Sequence, residues 1–309
     1  MPTVTVIGGV QADLLMSPVT DLPPSGGSML TENMSLRIGG AGANSALAFL
    51  ETKMTTRLVG CVGDDHLGRW MRSQLEAVGL ARDLVISAEE PTGLTVALES
   101  PKRDRTFITY LGVNAHWDAS TIPADVLACD NLLLCDYFVM PGLQGDAADL
   151  LATARAAGAR TFFDTAWDPG GFSAATRAEV MQLLALVDVF LPNEAEARAL
   201  AGATDGSPAE AARDLQAASG GWVVMKLGAD GCLAVGPNAA ELAVPAPAVH
   251  VADTTGAGDA FNAALVNAMS EGFEWPDALE AATLFASTVV ARPSNDRHRL
   301  PNPERAHGS

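Results

Sequence analysis

Asp259 stands at the end of a glycine-spaced run, Gly256-Ala257-Gly258-Asp259. In residues 260–269, Phe261, Leu265, Ala268 and Met269 fall at helical spacing. The pattern predicts a tight turn that opens a helix. The first amides of such a helix lack partners inside it and, with the helix dipole, form an anion site. Gly256 and Gly258 let the backbone approach the anion with no Cβ in between. A carboxylate repels an anionic ligand, so Asp259 makes chemical sense as a base that takes the proton of a hydroxyl attacking a phosphate. The competing reading is a capping Asp after a glycine turn, and the four residues alone leave both open.

The elements around this run must position it. Residues 4–7 form a short apolar run that ends in Gly8-Gly9 and reads as a buried strand leaving a sheet. Asp13 follows where the carboxyl end of such a strand would feed a ligand crevice; a turn residue is the competing reading. Residues 18–27 are a Pro/Gly/Ser loop, and Leu30, Met34, Leu36 and Ile38 then alternate with polar residues, as in a half-exposed strand. Gly39-Gly40-Ala41-Gly42-Ala43-Asn44 opens a helix to about residue 52. It lacks the spacing of a dinucleotide fingerprint. Residues 56–65 predict a strand and its exit turn, followed by a helix from about 67 to 78 that Gly79 closes. Two β-prone runs, 92–100 and 105–111, flank a charged turn and join 28–38 in a small inserted sheet. Arg103 and Arg105 read as solvated hairpin charges.

From residue 132 the pattern alternates: strands at 132–134, 161–163 and 189–191, with helices at 145–157, 173–185 and 195–201. Alternation of this kind predicts a doubly wound, mainly parallel sheet flanked by helices. Pro192-Asn193-Glu194-Ala195-Glu196 begins the last of these helices and is itself a good cap with an acidic first turn. Residues 222–232 read as strand, glycine turn, strand, and a final helix runs from about 277 to 291.

Composition excludes several functions. The 309 residues carry a net charge of −18, which opposes nucleic acid and anionic membranes as partners. Hydrophobic residues make up 48%, enough for a large core. The four cysteines are scattered and form no metal motif, which points to buried thiols in a reducing, cytoplasmic setting. No apolar run reaches membrane-spanning length.

Asp253-Thr254-Thr255-Gly256-Ala257-Gly258-Asp259-Ala260-Phe261 resembles the C-terminal signature of the ribokinase-like, or phosphofructokinase B, family of carbohydrate kinases. Gly39-Gly40-x-x-x-Asn44 resembles its N-terminal signature. The resemblance covers nearly the whole chain and implies one kinase domain over 1–302, with lid strands from about 12–38 and 92–112; residues 303–309 are polar and read as a disordered tail. It implies Asp259 as catalytic base and Gly256, Ala257 and Gly258 as the anion hole. Asp13, Gly39, Gly40, Asn44 and Asn114 would bind the sugar. Asn193 and Glu196 match an Asn-x-x-Glu pattern that holds Mg²⁺ and water, with Glu196 acting through water, as suits an ion that keeps its hydration. Lys226, Gly228, Gly231 and Thr254 would line the ATP site. An ammonium at Lys226 would offset polyphosphate charge that this acidic chain otherwise repels; a solvent-facing lysine is the competing reading. Residues 292–298 contain no glycine where the family uses one for K⁺ and adenine, which leaves monovalent-cation use open. The apolar lid faces predict a homodimer joined through the lids. A nucleoside kinase of the same fold, with Phe107 and Tyr110 reaching over the pocket, is the near alternative; a non-catalytic sugar-binding protein is the distant one.

Overall fold

The computed structural model describes residues 1–100, 106–202 and 206–292. Arg103, Arg105, residues 293–298 and the 303–309 tail lie outside the described residues. Five strands and two helices occupy the first ninety positions: β1 Thr3–Ile7, β2 Gln11–Ser17, β3 Asn33–Gly39, α1 Ala41–Glu51, β4 Thr55–Gly63, α2 His66–Glu76 and β5 Asp83–Ser87. There follow β6 Leu94–Leu98, β7 Thr106–Tyr110, β8 Asn131–Leu134, α3 Pro141–Gln144, α4 Ala147–Ala156, β9 Arg160–Phe163 and α5 Ala174–Leu184. The chain continues through β10 Val189–Phe190, α6 Glu194–Ala201, α7 Pro208–Ser219, β11 Trp222–Lys226, β12 Cys232–Gly236 and β13 Ala240–Val244. Helices α8 Ala257–Ser270 and α9 Trp275–Val290 close the described chain.

Nine strands form one sheet in the order β13-β12-β11-β10-β9-β8-β1-β4-β5. Seven neighbouring strands pair in parallel; at one edge β12 joins β11 antiparallel and β13 joins β12 antiparallel. The parallel strands are apolar on both faces because both are covered. Leu132 and Leu134 of β8 pack with α4 to α7, while Leu133 packs with α1, α2, α8 and α9. From β1 the chain moves outward to β4 and β5, then returns to place β8 on β1's other side. The carboxyl ends of β1 and β8 therefore flank a switch point, the place where open sheets of this kind bind ligands.

The second sheet has the order β3-β2-β6-β7. It is the small inserted sheet expected from the sequence, with one strand more than the alternating runs indicated. Asp13 is not in a loop beyond β1 but inside β2, opposite Arg37 of β3. The strand expected over 28–38 begins only at Asn33, so Leu30 lies outside it.

Register gives the two faces of this sheet different chemistry. Leu14, Leu36, Val96 and Ile108 form one cross-strand row. Asp13, Arg37, Thr95 and Thr109 form the next row, on the opposite face because side chains alternate. Gln11 Nε2 donates to Thr95 Oγ1 at 2.6 Å, and Thr95 and Thr109 share a hydrogen bond of 3.0 Å. In the polar row Thr95 is buried, Asp13 and Arg37 are half-buried and Thr109 is exposed, whereas Leu36 and Ile108 of the apolar row are exposed.

Candidate active site

Helix α8 begins where the glycine spacing predicts a turn. Gly256 takes φ 71°, a left-handed conformation that glycine adopts without strain, and serves as the N-cap. Thr254 O accepts from the Ala257 amide at 3.2 Å, closing the turn below it. Asp259 sits in the first helical turn and accepts from Ser45 Oγ of α1 at 3.1 Å. Both sequence signatures thus meet at one point, the N-termini of α1 and α8.

Around this point the parallel strands deliver charge from their carboxyl ends. Asp136 follows β8, Asp164 follows β9, and Lys226 ends β11. Lys226 Nζ donates to Asp164 Oδ2 at 2.7 Å and to Asn262 Oδ1 at 3.3 Å; Asn262 Nδ2 donates to the same Asp164 oxygen at 2.7 Å. A Cβ on Gly258 would lie 3.5 Å from Lys226 Nζ, so the ammonium stands directly beside the glycine turn. Burial alone would push Lys226 down, but Asp164 and Glu196 hold it above its ordinary value.

The carboxylates are raised as well, but for them burial is itself the main cause. Burial, then the charges of Asp164 and Asp136, push Asp259 up to about 8, against Lys226 and the Ser45 hydrogen bond. Asp136 is pushed to about 7 by burial first, with Asp164 and Asp13 adding to it. Glu196 is also pushed to about 7, by burial and then by Asp164. The cluster is short of positive charge.

Asn193 and Glu196 form the capping box that starts α6. Glu196 accepts from the Asn193 amide at 2.9 Å and from its Nδ2 at 2.6 Å, while Asn193 Oδ1 accepts from the Glu196 amide at 2.9 Å. Its carboxylate oxygens are thereby engaged, which suits an ion reached through water. Among the described residues no three His, Cys, Asp or Glu side chains converge tightly enough to hold a metal alone. Mg²⁺ needs no such cage, since it keeps waters and takes one or two carboxylates plus phosphate oxygens. The surplus of buried carboxylates around Asp164 and Glu196 fits it.

The remaining candidates lie towards the lid. Gly39 lets the backbone touch Asp13, whose carboxyl carbon would be 2.1 Å from a Cβ placed there. Gly40 has φ 86° and caps α1. Asn44 and Asn114 are buried, and Asn44 Oδ1 and both polar atoms of the Asn114 amide find no hydrogen-bond partner among the described residues. Gln11 Oε1 and Thr165 Oγ1 share that condition. A Cβ on Gly93 would be 3.1 Å from Asn114 Nδ2 and 3.3 Å from Gln11 Cβ, so both residues pack against Gly93. Gly228 and Gly231 shape the β11–β12 turn, where Leu227 N donates to Gly231 O at 2.8 Å.

Several residues of the site escaped sequence reasoning: Asp136, Asp164, Ser45, Gln11, Thr165 and the Arg37–Asp253 ion pair. Asp136 and Asp164 each follow an apolar strand, and applying the carboxyl-end rule to every strand would have found both. Asp136 supports the start of α1, accepting from the Ala41 amide.

A parallel sheet with helices on both faces, a lid sheet beside its switch point and a glycine turn opening a helix over a buried carboxylate define an α/β fold of the ribokinase type. A model of the pfkB family carbohydrate kinases matches residues 1–302. The chain is 25% identical over 299 residues to ribokinase of Haemophilus influenzae, covering 94% of this chain and 92% of that one. It is 32% identical over 278 residues to 1-phosphofructokinase of Rhodobacter capsulatus, covering 86% and 83%. The structure of Arabidopsis thaliana ribokinase complexed with ribose and ATP superposes with a TM-score of 0.79 at 24% identity, covering 96% of this chain and 97% of that one. The chain belongs to the pfkB family of carbohydrate kinases.

Proposed function

We propose that this protein transfers the γ-phosphoryl group of ATP to a hydroxyl of a neutral sugar or sugar-like polyol. The observation that carries the reading is the set of buried polar atoms without partners among the described residues, on Asn44, Asn114, Gln11 and Thr165; Asn44 adjoins Ser45, which bonds Asp259, and Thr165 adjoins Asp164. Burying unpaired amide groups is costly, and hydroxyls that both donate and accept would satisfy them. A phosphorylated sugar suits the described cleft less well. Its cations, Arg37 and Lys226, are already paired with Asp253 and Asp164.

In this reading Asp259 takes the hydroxyl proton, and the amides of Gly256, Ala257 and Gly258 stabilise the charge on the transferred group. Lys226 lies beside that group, with Gly228, Gly231 and Thr254 on the nucleotide side. Asp164 and Glu196 would hold Mg²⁺, Glu196 through water. When bound, the ion would supply positive charge to offset that of the phosphate groups. Asp13, Gly39, Gly40, Asn44 and Asn114 orient the sugar. Residues 1–302 act as one kinase unit in the cytoplasm, and two copies join through their lids.

A nucleoside acceptor is the second reading, and register divides its two aromatic candidates. Phe107 stands on the same face as Thr109 and Asp13, whereas Tyr110 stands on the apolar face. Phe107 alone is therefore available to stack on a base. An ATP-consumption assay over free sugars, sugar phosphates and nucleosides, with and without K⁺, tests the proposal. A free sugar is expected to give the highest kcat/KM. Turnover confined to sugar phosphates, or to nucleosides, would overturn the neutral-sugar assignment.

A further inference from the structure

Arg37 and Asp253 connect two parts of the chain that reach the cleft from different elements. Arg37 lies on β3, the lid strand that runs directly into Gly39, Gly40 and α1. Asp253 opens the turn that carries Gly256 and Asp259. Arg37 Nη1 donates to Asp253 Oδ2 at 3.1 Å, and the two side chains are only 13% and 1% exposed. Ser35 Oγ accepts from Arg37 Nε at 3.0 Å and fixes the direction of the guanidinium.

The other oxygen of Asp253 faces the turn itself. Asp253 Oδ1 accepts from the Thr255 amide at 2.9 Å and from Thr255 Oγ1 at 2.7 Å. Thr254 O then accepts from the Ala257 amide, the first residue of α8. A single carboxylate thus bonds the lid strand on one side and the anion-hole turn on the other. Opposite Arg37, in register on β2, stands Asp13.

We propose that Arg37 is a positioning residue that couples the lid to the anion hole through Asp253. The amides of 256–258 then take up their productive direction only while the lid strand is seated against the cleft. Burial is what gives the pair this leverage. A desolvated pair resists separation because either charge left alone is strongly penalised, whereas an exposed pair parts at little cost. Arg69 and Asp64 supply the contrast within this chain: their separation is 2.8 Å, but the side chains are 53% and 61% exposed. The arginine fork also holds a direction that a lysine ammonium cannot. The catalytic meaning rests on the kinase reading above; the mechanical coupling does not.

The test combines hydrogen exchange and kinetics on the full chain, for wild type, Arg37→Gln, Arg37→Lys and the control Arg69→Gln. In Arg37→Gln, amide exchange at 254–259 is expected to speed up by about tenfold, with α4 to α7 unchanged. Arg37→Lys should fall between it and wild type, and Arg69→Gln should match wild type. With a sugar that the wild type phosphorylates, kcat of Arg37→Gln should fall by about tenfold while the sugar KM moves by less than about threefold. Unchanged exchange at 254–259 in a folded Arg37→Gln protein would overturn the proposal, as would an equal rise in Arg69→Gln. If Arg37→Gln does not fold, Arg37→Lys decides by the same local readout. A wild type inactive on every sugar removes the kinase reading, and the exchange data still decide the coupling.

Discussion

With Asp259 as the base, the pH dependence of the reaction follows from its surroundings. Burial and two neighbouring carboxylates raise it to about 8, so at neutral pH most of the free protein carries it protonated. The sugar kcat/KM is then expected to climb about tenfold per pH unit below that value and to level off above it. Asp259→Asn should remove roughly two to four orders of magnitude from kcat and abolish the climb, while ATP still binds. A wild-type profile flat from pH 6 to 9 would take Asp259 out of the mechanism. Lys226 belongs to the same electrostatic unit. It lowers Asp259 and pairs with Asp164. Lys226→Met should therefore do two things at once: raise the ATP KM, and move the rising limb of the pH profile to higher pH. An altered KM with an unmoved profile would separate Lys226 from the base.

At the scale of elements, the cleft depends on how closely α1 approaches β1. A Cβ on Gly42 would lie 2.5 Å from the Gly8 carbonyl carbon, a backbone atom with no room to yield. Gly42→Ala should cost about 1–3 kcal/mol and displace Ser45 and Asp136 from the site. Gly145→Ala, where nothing lies within 4 Å, should be near neutral and serves as its control in denaturant unfolding. The sequence carried this arrangement unevenly. The strands from 132 onward were legible because both faces are buried and the apolar runs are continuous. Strand β2 was harder to see, since Gln11-Ala12-Asp13-Leu14-Leu15 follows a glycine pair and breaks the alternation. Helix α7 went unread although Ser207 and Glu210 form a capping box at its start. In the site, the glycine turn and Asn44 were legible as local patterns. Asp164, Asp136 and Arg37 were not, because their roles come from partners 62, 95 and 216 positions away in the chain.

For the whole molecule, the buried and half-buried carboxylates make an unusual demand on stability. Asp136, Glu196 and Asp259 each keep their proton to a higher pH in the folded chain than their ordinary values allow in the unfolded one. Below about pH 4 this costs nothing, and the loss accumulates as pH rises towards 7–8, because the folded state binds more protons over that interval. The net charge of −18 acts in the same direction. The unfolding free energy of the ligand-free protein should therefore decline between pH 5 and 8, and Asp136→Asn should make the decline shallower. A stability that rises over this interval in chemical denaturation would contradict the raised values.

Assembly is the other demand. The lid turns its polar row towards the cleft and its apolar rows outward, leaving Met34 68%, Ile108 57%, Tyr110 55% and Leu36 40% exposed. A contiguous apolar face of this kind marks a contact surface. A sugar at the proposed site would not cover it, since that site faces the opposite side of the sheet. A second lid can, because a two-fold axis sets the same patch against itself and needs no other partner. Light scattering at micromolar concentration is expected to give the mass of a dimer for wild type and of a monomer for Leu36→Asp. In the variant the site residues remain in one chain, so its Asp259 environment and pH profile should persist even as the mass halves. A wild-type monomer would refute the lid interface. A Leu36→Asp dimer would move the interface elsewhere on the molecule.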